Sequence, residues 1–256
     1  MRINSVVKVA LHLIVVTNLY CCSPHYGPAI WGNNFPYMTK PVYHDTNCAA
    51  NYISGIINSG IVYNDNESNF LAQGQLHRSH THENNSFSYG VYGYHGRYNV
   101  SKDITINCGE KYYSGFGIKG GTNTIVSTKH LELNPIGVQT VVYSEFGEYM
   151  NFLSDAKEID SIYLMPTSNH KIKQSICLNS GINYKLKKNS ILGIQLGIAF
   201  PVLYESNDGW LIYYFPINLH YTNKHFSFAI NGNYPPFAGG LSVSYRINSR
   251  NITNTK

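Results

Sequence analysis

The stretch ILGIQLGIAFPV (191–202) alternates strictly between two kinds of side chain. Bulky apolar residues occupy one parity, namely Leu192, Ile194, Leu196, Ile198, Phe200 and Val202. Small or polar residues occupy the other, namely Gly193, Gln195, Gly197 and Ala199. Successive side chains of a β-strand point to opposite faces of the sheet. The stretch therefore predicts a strand with one bulky apolar face and one small or polar face.

The same alternation recurs along the chain. It is found in NFLAQGQL (69–76), LIYYFPINLHY (211–221), HFSFAIN (225–231) and GLSVSYRI (240–247). Further candidate strands lie at 51–63, 86–100, 111–121 and 177–186. Turn-forming runs such as KKNS, ESNDG and TNKH separate them. The pattern predicts an all-β fold, an antiparallel up-and-down β-barrel of about 8–10 strands linked mostly by hairpins.

Alternation alone is compatible with two barrels. A transmembrane barrel turns the bulky parity to lipid and the polar parity to the lumen. A soluble barrel turns the bulky parity inward, where it could hold an apolar small molecule. Many predicted strands have about ten residues, enough to cross a bilayer when tilted. Charged residues are only 13% of the chain, and Gly or Ala fills the non-bulky face. These features favour the membrane barrel, with the soluble, lipid-tethered barrel as the alternative.

One segment departs from alternation. In GVQTVVYSEFGEYMNFLSDAKEI (137–159), apolar residues recur at helical spacing, namely Val138, Val142, Phe146, Tyr149, Met150 and Leu153. Gly147 weakens a helix by about 1 kcal/mol, and strand parity can also be followed through the first three apolar residues. We expect a short helix near 138–156, or a bent insertion.

The N-terminus has the layout of a secretory signal. Arg2 and Lys8 precede an apolar run too short to span a bilayer as a helix. Two cysteines follow, and modification of Cys22 would put Leu19 three residues upstream and the small Cys21 before the cut. This resembles a bacterial lipoprotein signal, in which residues 1–21 are removed and Cys22 carries the lipid. Palmitate is an expected acyl chain of that lipid. An ordinary signal peptide is the alternative.

A resemblance to a family follows from the next residues. HYGPAIWGNNFPYMTKPVYHDTNCAANYISG has a skeleton of Tyr26, Pro28, Asn33 or Asn34, Pro36 and Lys40. With the Tyr/Gly-rich strands and the closing FAGGLSVSYRI, it resembles small outer-membrane β-barrel lipoproteins of the Bacteroidota. The resemblance implies an extended lead at 22–46 and a single barrel domain at 47–248. A polar tail then occupies 249–256.

Candidate chemistry is sparse. HRSHTHE (77–83) is the only dense cluster of metal-capable side chains, and His77, His80 and His82 could contribute to a zinc or copper site. A polar loop tip is the plainer interpretation. At most one disulfide can join two of Cys48, Cys108 and Cys177, and all three could equally be free thiols.

No catalytic motif or phosphate-binding glycine loop is found, and the net charge of +5 is scattered, which gives nucleic-acid binding no support. We predict a non-enzymatic outer-membrane barrel without a cofactor. Its expected partners are membrane lipid and an envelope complex, in which its role would be structural or accessory.

Overall fold

The structure is a computed structural model, and it describes residues 35–42, 48–61, 68–100, 108–159, 172–187, 190–202, 213–234 and 237–251. The strands are β1 (Cys48–Ile61), β2 (Ser68–Thr81), β3 (Asn85–Val100), β4 (Gly109–Thr124), β5 (Val126–Ser127), β6 (Leu131–Gly147), β7 (Lys173–Lys187), β8 (Ser190–Pro201), β9 (Phe215–Asn223), β10 (Phe226–Tyr234) and β11 (Phe237–Asn251). A helix, α1 (Glu148–Ile159), lies between β6 and β7.

Ten long strands close into an antiparallel barrel. Each pairs with its neighbour along the chain, β1 also pairs with β11, and β4 pairs with β6 across the two-residue β5. Because β1 and β2 run antiparallel, Cys48 lies opposite Thr81 at one rim, which we call the near end. Helix α1 follows β6 at the opposite rim, the far end. The predicted fold is confirmed, at the upper limit of the predicted strand number.

The bulky parity faces outward and the polar parity faces the lumen. Exposed apolar side chains follow the outer faces of successive strands, among them Ile53, Ile57, Leu76, Val91, Phe116, Leu178, Leu196, Phe228, Ile230 and Leu241. Buried polar side chains face inward, among them Ser54, Asn58, Gln73, Gln75, Asn179, Asn218, Asn231 and Ser242. This is the orientation of a membrane barrel. The alternative, a soluble barrel with its bulky side chains turned inward, is therefore wrong.

Helix α1 begins later than the sequence pattern indicates. The backbone stays extended in β6 as far as Gly147, whose φ of 120° suits glycine and ends the strand. A Cβ at this position would lie 2.7 Å from the carbonyl oxygen of Tyr112. The predicted helix is therefore present, but residues 138–147 belong to β6. Within the described residues, no helix is long and apolar enough to cross a membrane.

The three cysteines of the described residues are free thiols. Cys48 and Cys177 are buried and Cys108 is exposed. The open question of a disulfide is thus decided in favour of free thiols. The predicted lipid acceptor, Cys22, lies outside the described residues.

Candidate functional site in the barrel lumen

A stretch of chain lies inside the barrel. Residues 35–42, which we call the lumen segment, precede β1, have no regular secondary structure and are buried at every position. Their sequence, FPYMTKPV, contains two prolines, which cannot donate ladder hydrogen bonds. The two prolines therefore disfavour pairing of this segment as another strand.

The contacts of the lumen segment show its direction. The side chain of Asn218, in the middle of β9, donates a hydrogen bond to the carbonyl oxygen of Phe35 at 3.1 Å. At the other end of the segment, Lys40 forms an ion pair with Glu132, the second residue of β6, at the near end of the barrel. The segment thus runs from the middle of the lumen to the near end, where β1 begins.

A chain of hydrogen bonds connects the wall to the lumen segment through His77. Lys119 donates to Oε1 of Gln75, and Nε2 of Gln75 lies 3.3 Å from Nδ1 of His77. The other ring nitrogen of His77 lies 3.1 Å from the carbonyl oxygen of Thr39. Because that oxygen can only accept, His77 carries its proton on Nε2, and Nδ1 accepts from Gln75. Ser79 donates a second hydrogen bond to the same Thr39 oxygen at 2.7 Å.

A second network holds the segment from the opposite wall. The ring of Tyr37 stacks on that of His220 at a centroid distance of 3.6 Å. His220 Nε2 lies 3.0 Å from Oδ1 of Asn183, whose Nδ2 donates to Glu132 at 2.8 Å. Glu132 therefore accepts from both Asn183 and Lys40, which connects the stacking contact to the ion pair.

Aromatic side chains fill the far end. Tyrosines of β3, β4 and β6 form one buried cluster with residues of α1, and its members include Tyr92, Tyr94, Tyr98, Tyr113, Tyr143, Tyr149, Phe152 and Leu153. Glu145 and Lys173 form an ion pair of 2.6 Å within this end, with side-chain exposures of 0% and 8%. The hydroxyl of Tyr94 donates to the same carboxylate at 2.8 Å.

Little free space remains beside the lumen segment. The cavity there is lined by Tyr37, Lys40, Gln139, Gln195 and His220, among others, and holds about one water molecule. Beside the lumen segment, the described residues therefore leave no room for a solute larger than water.

The three histidines of the predicted metal site do not share a face. Because β2 continues to Thr81, His77 points into the lumen and His80 points outward, where it stacks on Tyr89. His82 follows the strand and is exposed. Among the described residues, no group of three metal-capable side chains comes together.

The residues that organise the lumen include several that the sequence interpretation missed. Glu132 and Glu145 on β6 and Lys173 on β7 lie in the lumen. Glu145 shares the parity of the buried Val141 and Tyr143, and Lys173 that of the buried Ser175 and Cys177, which is the signal by which these two could have been found. Glu132 lies beyond the register shift between Asn134 and Gly137, so parity would not have placed it in the lumen. Tyr37 and Thr39 have no periodic pattern that would indicate burial.

Comparison with known proteins gives only an architectural likeness. No family model and no curated protein sequence matches the chain. A deletion mutant of the monoaromatic hydrocarbon channel TodX is 11% identical, with 82% of this chain and 70% of that chain covered and a TM-score of 0.35.

Two further solved structures are similar at the same level. An outer-membrane channel from Pseudomonas putida F1 is 9% identical, with 87% of this chain and 100% of that chain covered and a TM-score of 0.33. The attachment invasion locus protein Ail of Yersinia pestis is 12% identical, with coverages of 79% and 99% and a TM-score of 0.26. Identities and scores of this size define no family, and the properties of this chain follow from its own residues. Those residues form a closed antiparallel β-barrel whose outer surface is apolar.

Proposed function

We propose that this protein is a lipid-anchored, non-enzymatic β-barrel of the bacterial outer membrane, closed to solutes at rest. Its role is structural, or that of an accessory subunit in an envelope complex. The observation that carries this proposal is that bulky apolar side chains point outward around the whole circumference of the closed barrel.

The outer surface matches a hydrocarbon environment. Ile57, Phe116, Ile230 and Leu241 expose between 56% and 64% of their surface on different strands. A soluble protein exposes a contiguous apolar patch of a few hundred Å² at most, so an apolar belt around a whole barrel requires a non-aqueous neighbour. Lipid supplies that neighbour, and barrel closure leaves no unpaired strand edge within it.

The contents of the lumen support a non-enzymatic role for the protein and a barrel that is closed to solutes. The lumen segment occupies the near half, and the tyrosine cluster fills the far end. The buried charges within the lumen are engaged in contacts between strands or with the lumen segment, as for Glu145 and Glu132. Such contacts stabilise the interior, and they explain these groups without assigning them to a reaction.

Lipid attachment at Cys22 adds a second anchor. A thioether-linked diacylglycerol buries many methylene groups and holds a protein on a membrane independently of the barrel. Cells grown with radiolabelled palmitate should incorporate label into the wild-type chain and into a Cys21→Ser variant, but not into Cys22→Ser. Equal labelling of the wild type and Cys22→Ser would contradict the assignment.

Closure is tested separately with purified protein in liposomes. Liposomes that contain the wild-type barrel should release a small trapped sugar no faster than liposomes without protein. Release at the rate of a general porin would contradict a barrel that is closed at rest.

A further inference from the structure

The apolar belt has a sharp edge on the near-end side of β1 and β2. Outward side chains of β2 are apolar at Leu76, and the next outward position toward the near end is Arg78. On β1 the same change occurs between Ile53 and Asn51, which lie directly opposite Leu76 and Arg78. The edge is therefore a continuous line across the two strands. In a membrane barrel, such a line lies at the boundary between hydrocarbon and headgroups.

Aromatic side chains mark the same level on the outer surface. Tyr89 of β3 lies directly opposite Arg78, and Phe87 occupies the next outward position toward the near end. Both rings are exposed on the outer face. Further strands carry exposed aromatic side chains near this end, namely Tyr184, Phe226 and Tyr245. Because tyrosine is enriched where membranes meet water, these rings support a headgroup environment for Arg78.

The guanidinium of Arg78 is oriented by its neighbours but has no anion. Its Nε donates a hydrogen bond to Nε2 of His80 at 3.2 Å, and the His80 ring stacks on Tyr89 at a centroid distance of 5.9 Å. This bond uses the Nε–H, so the terminal N–H groups remain for an external acceptor. None of the ion pairs between described residues includes Arg78. Its charge is therefore available to an anion outside the protein.

Arg97 provides the contrast on the same wall. It is also an outward arginine of the β2–β3 wall, but it lies near the far end of β3. Its guanidinium donates to the carboxylate of Glu110 on β4 at 2.8 Å. An arginine whose charge is paired within the protein needs no external anion. Arg78 and Arg97 thus share a side chain and a face and differ in their partners.

The connections between strands indicate which leaflet surrounds Arg78. At the near end, 82–84, 188–189 and 224–225 are short turns, whereas the far end has the longer connections 62–67, 101–108 and 202–214. Outer-membrane barrels have short turns on the periplasmic side and longer loops on the outside. This asymmetry favours a near end in the periplasmic leaflet, where the lipids are glycerophospholipids.

We propose that Arg78, with Asn51 and Tyr89 on either side, binds the phosphate of a glycerophospholipid in the periplasmic leaflet. A guanidinium matches a phosphate through two parallel hydrogen bonds. The amide of Asn51 and the phenol of Tyr89 lie opposite Arg78 across β1 and β3, within reach of the same phosphate. The acyl chains then lie against Ile53 and Leu76. The proposal rests on membrane insertion of the barrel and adds a specific lipid site to it.

The test is native mass spectrometry of the purified full-length protein in detergent, titrated with a phosphatidylethanolamine. Arg78→Gln should weaken binding of this lipid about tenfold, because the phosphate loses a charged hydrogen-bond donor. Arg78→Lys keeps the charge without the planar fork, so its affinity should lie between those of the wild type and Arg78→Gln. Arg97→Gln, the matched control, should bind the lipid as the wild type does.

Two competing ligands identify what the site recognises. A diacylglycerol with the same acyl chains has no phosphate and should bind equally to the wild type and to Arg78→Gln. Inorganic phosphate has no acyl chains and should not displace the phosphatidylethanolamine. The site is refuted if Arg78→Gln binds the phospholipid as tightly as the wild type, or if Arg97→Gln loses as much affinity. Dependence of diacylglycerol binding on Arg78, or displacement by inorganic phosphate, would also overturn it.

The leaflet is tested in intact cells with a membrane-impermeant maleimide. Cys108, an exposed thiol at the far end, should react in intact cells, and Cys108→Ser should not. Lys224→Cys, placed in the Cys108→Ser chain at an exposed near-end turn, should react only after the outer membrane is permeabilised. The opposite labelling pattern would contradict a near end in the periplasmic leaflet and hence the glycerophospholipid.

Each variant is first checked for folding and insertion. A folded barrel resists sodium dodecyl sulfate at room temperature and migrates faster on a gel than after boiling. A folded barrel that stays in alkali-washed membranes, but whose lipid binding does not depend on Arg78, would refute the lipid site and leave membrane insertion supported. Release of the folded wild type by alkali would instead refute insertion.

Discussion

Breaking the buried pair between Glu145 and Lys173 should cost more stability than breaking an exposed pair whose charged atoms are similarly close. Its oxygen and nitrogen lie 2.6 Å apart with exposures of 0% and 8%, and Tyr94 donates to the same carboxylate. Glu145→Gln keeps the size of the side chain but leaves the Lys173 ammonium buried without an anion. Removal of one partner from a buried pair costs about 3–5 kcal/mol, and the retained amide oxygen places the expected loss at about 3 kcal/mol.

The matched control is the pair between Arg97 and Glu110. Its atoms lie 2.8 Å apart, but the side chains are 55% and 48% exposed. Glu110→Gln should therefore cost about 1 kcal/mol or less, because water screens the pair.

The assay is urea unfolding of the purified barrel in lipid vesicles, followed by tyrosine fluorescence. With a slope of about 1–3 kcal/mol per molar urea, Glu145→Gln should lower the midpoint by about 1–3 M and Glu110→Gln by well under 1 M. Adding Lys173→Met to Glu145→Gln removes the stranded charge and should recover most of the loss. Equal midpoints for Glu145→Gln and Glu110→Gln would refute the conclusion that breaking the buried pair leaves a costly unpaired charge.

Two further substitutions test the orientation and packing of the wall. Ile57→Arg places a charge on the outward face and should destabilise the inserted barrel by about 2–4 kcal/mol. Asn58→Ser, on the lumen side, should have a much smaller effect in the same urea assay. Equal losses of stability in the two variants would contradict the assigned faces. Gly115→Val should prevent heat-modifiable folding or lower the midpoint strongly, because a Cβ there would lie 2.2 Å from the ring of Tyr94. Gly74→Ala has no atom within 4 Å of the added carbon and should fold normally, so equal sensitivity at the two glycines would contradict the packing.

The sequence predicts the barrel because its strongest signal is periodic. Alternation at 191–202 places Leu192 and Ile194 on one face, and the structure puts both outward. The alternation does not determine which face of the strands contacts lipid, since a membrane barrel and a soluble barrel have the same alternation. Strand length, the scarcity of charge on either face and the Gly and Ala residues of the non-bulky face favoured the membrane barrel, and the outward orientation of the bulky side chains agrees with that choice.

The histidine cluster shows that the alternation of inward and outward side chains should be followed to the end of a strand. The pattern that places Gln73 and Gln75 on one face assigns His77 to that face and His80 to the other, provided that the strand continues. The predicted metal site included His77 with His80 and His82, although on an extended chain only His80 and His82 share a face. The structure continues β2 through His80 to Thr81, which separates the two imidazoles.

The lumen segment could not be predicted because no local rule determines it. A chain without regular secondary structure has neither helical nor alternating periodicity. Its burial depends on contacts about 40 to 180 residues away in sequence, such as those from Ser79 and Asn218. The pairing of Glu145 with Lys173 is likewise a consequence of which strands neighbour each other. Long-range geometry of this kind appears only when the barrel closes.

The central claim, that the barrel itself inserts into the membrane, is tested most directly by removing the proposed lipid site. Cys22→Ser should be expressed in the native host and its membranes washed with alkaline carbonate. The account predicts that the variant stays in the outer-membrane fraction and requires detergent for release. Recovery of the folded variant in the soluble fraction would contradict insertion, since lipid would then have been the sole anchor.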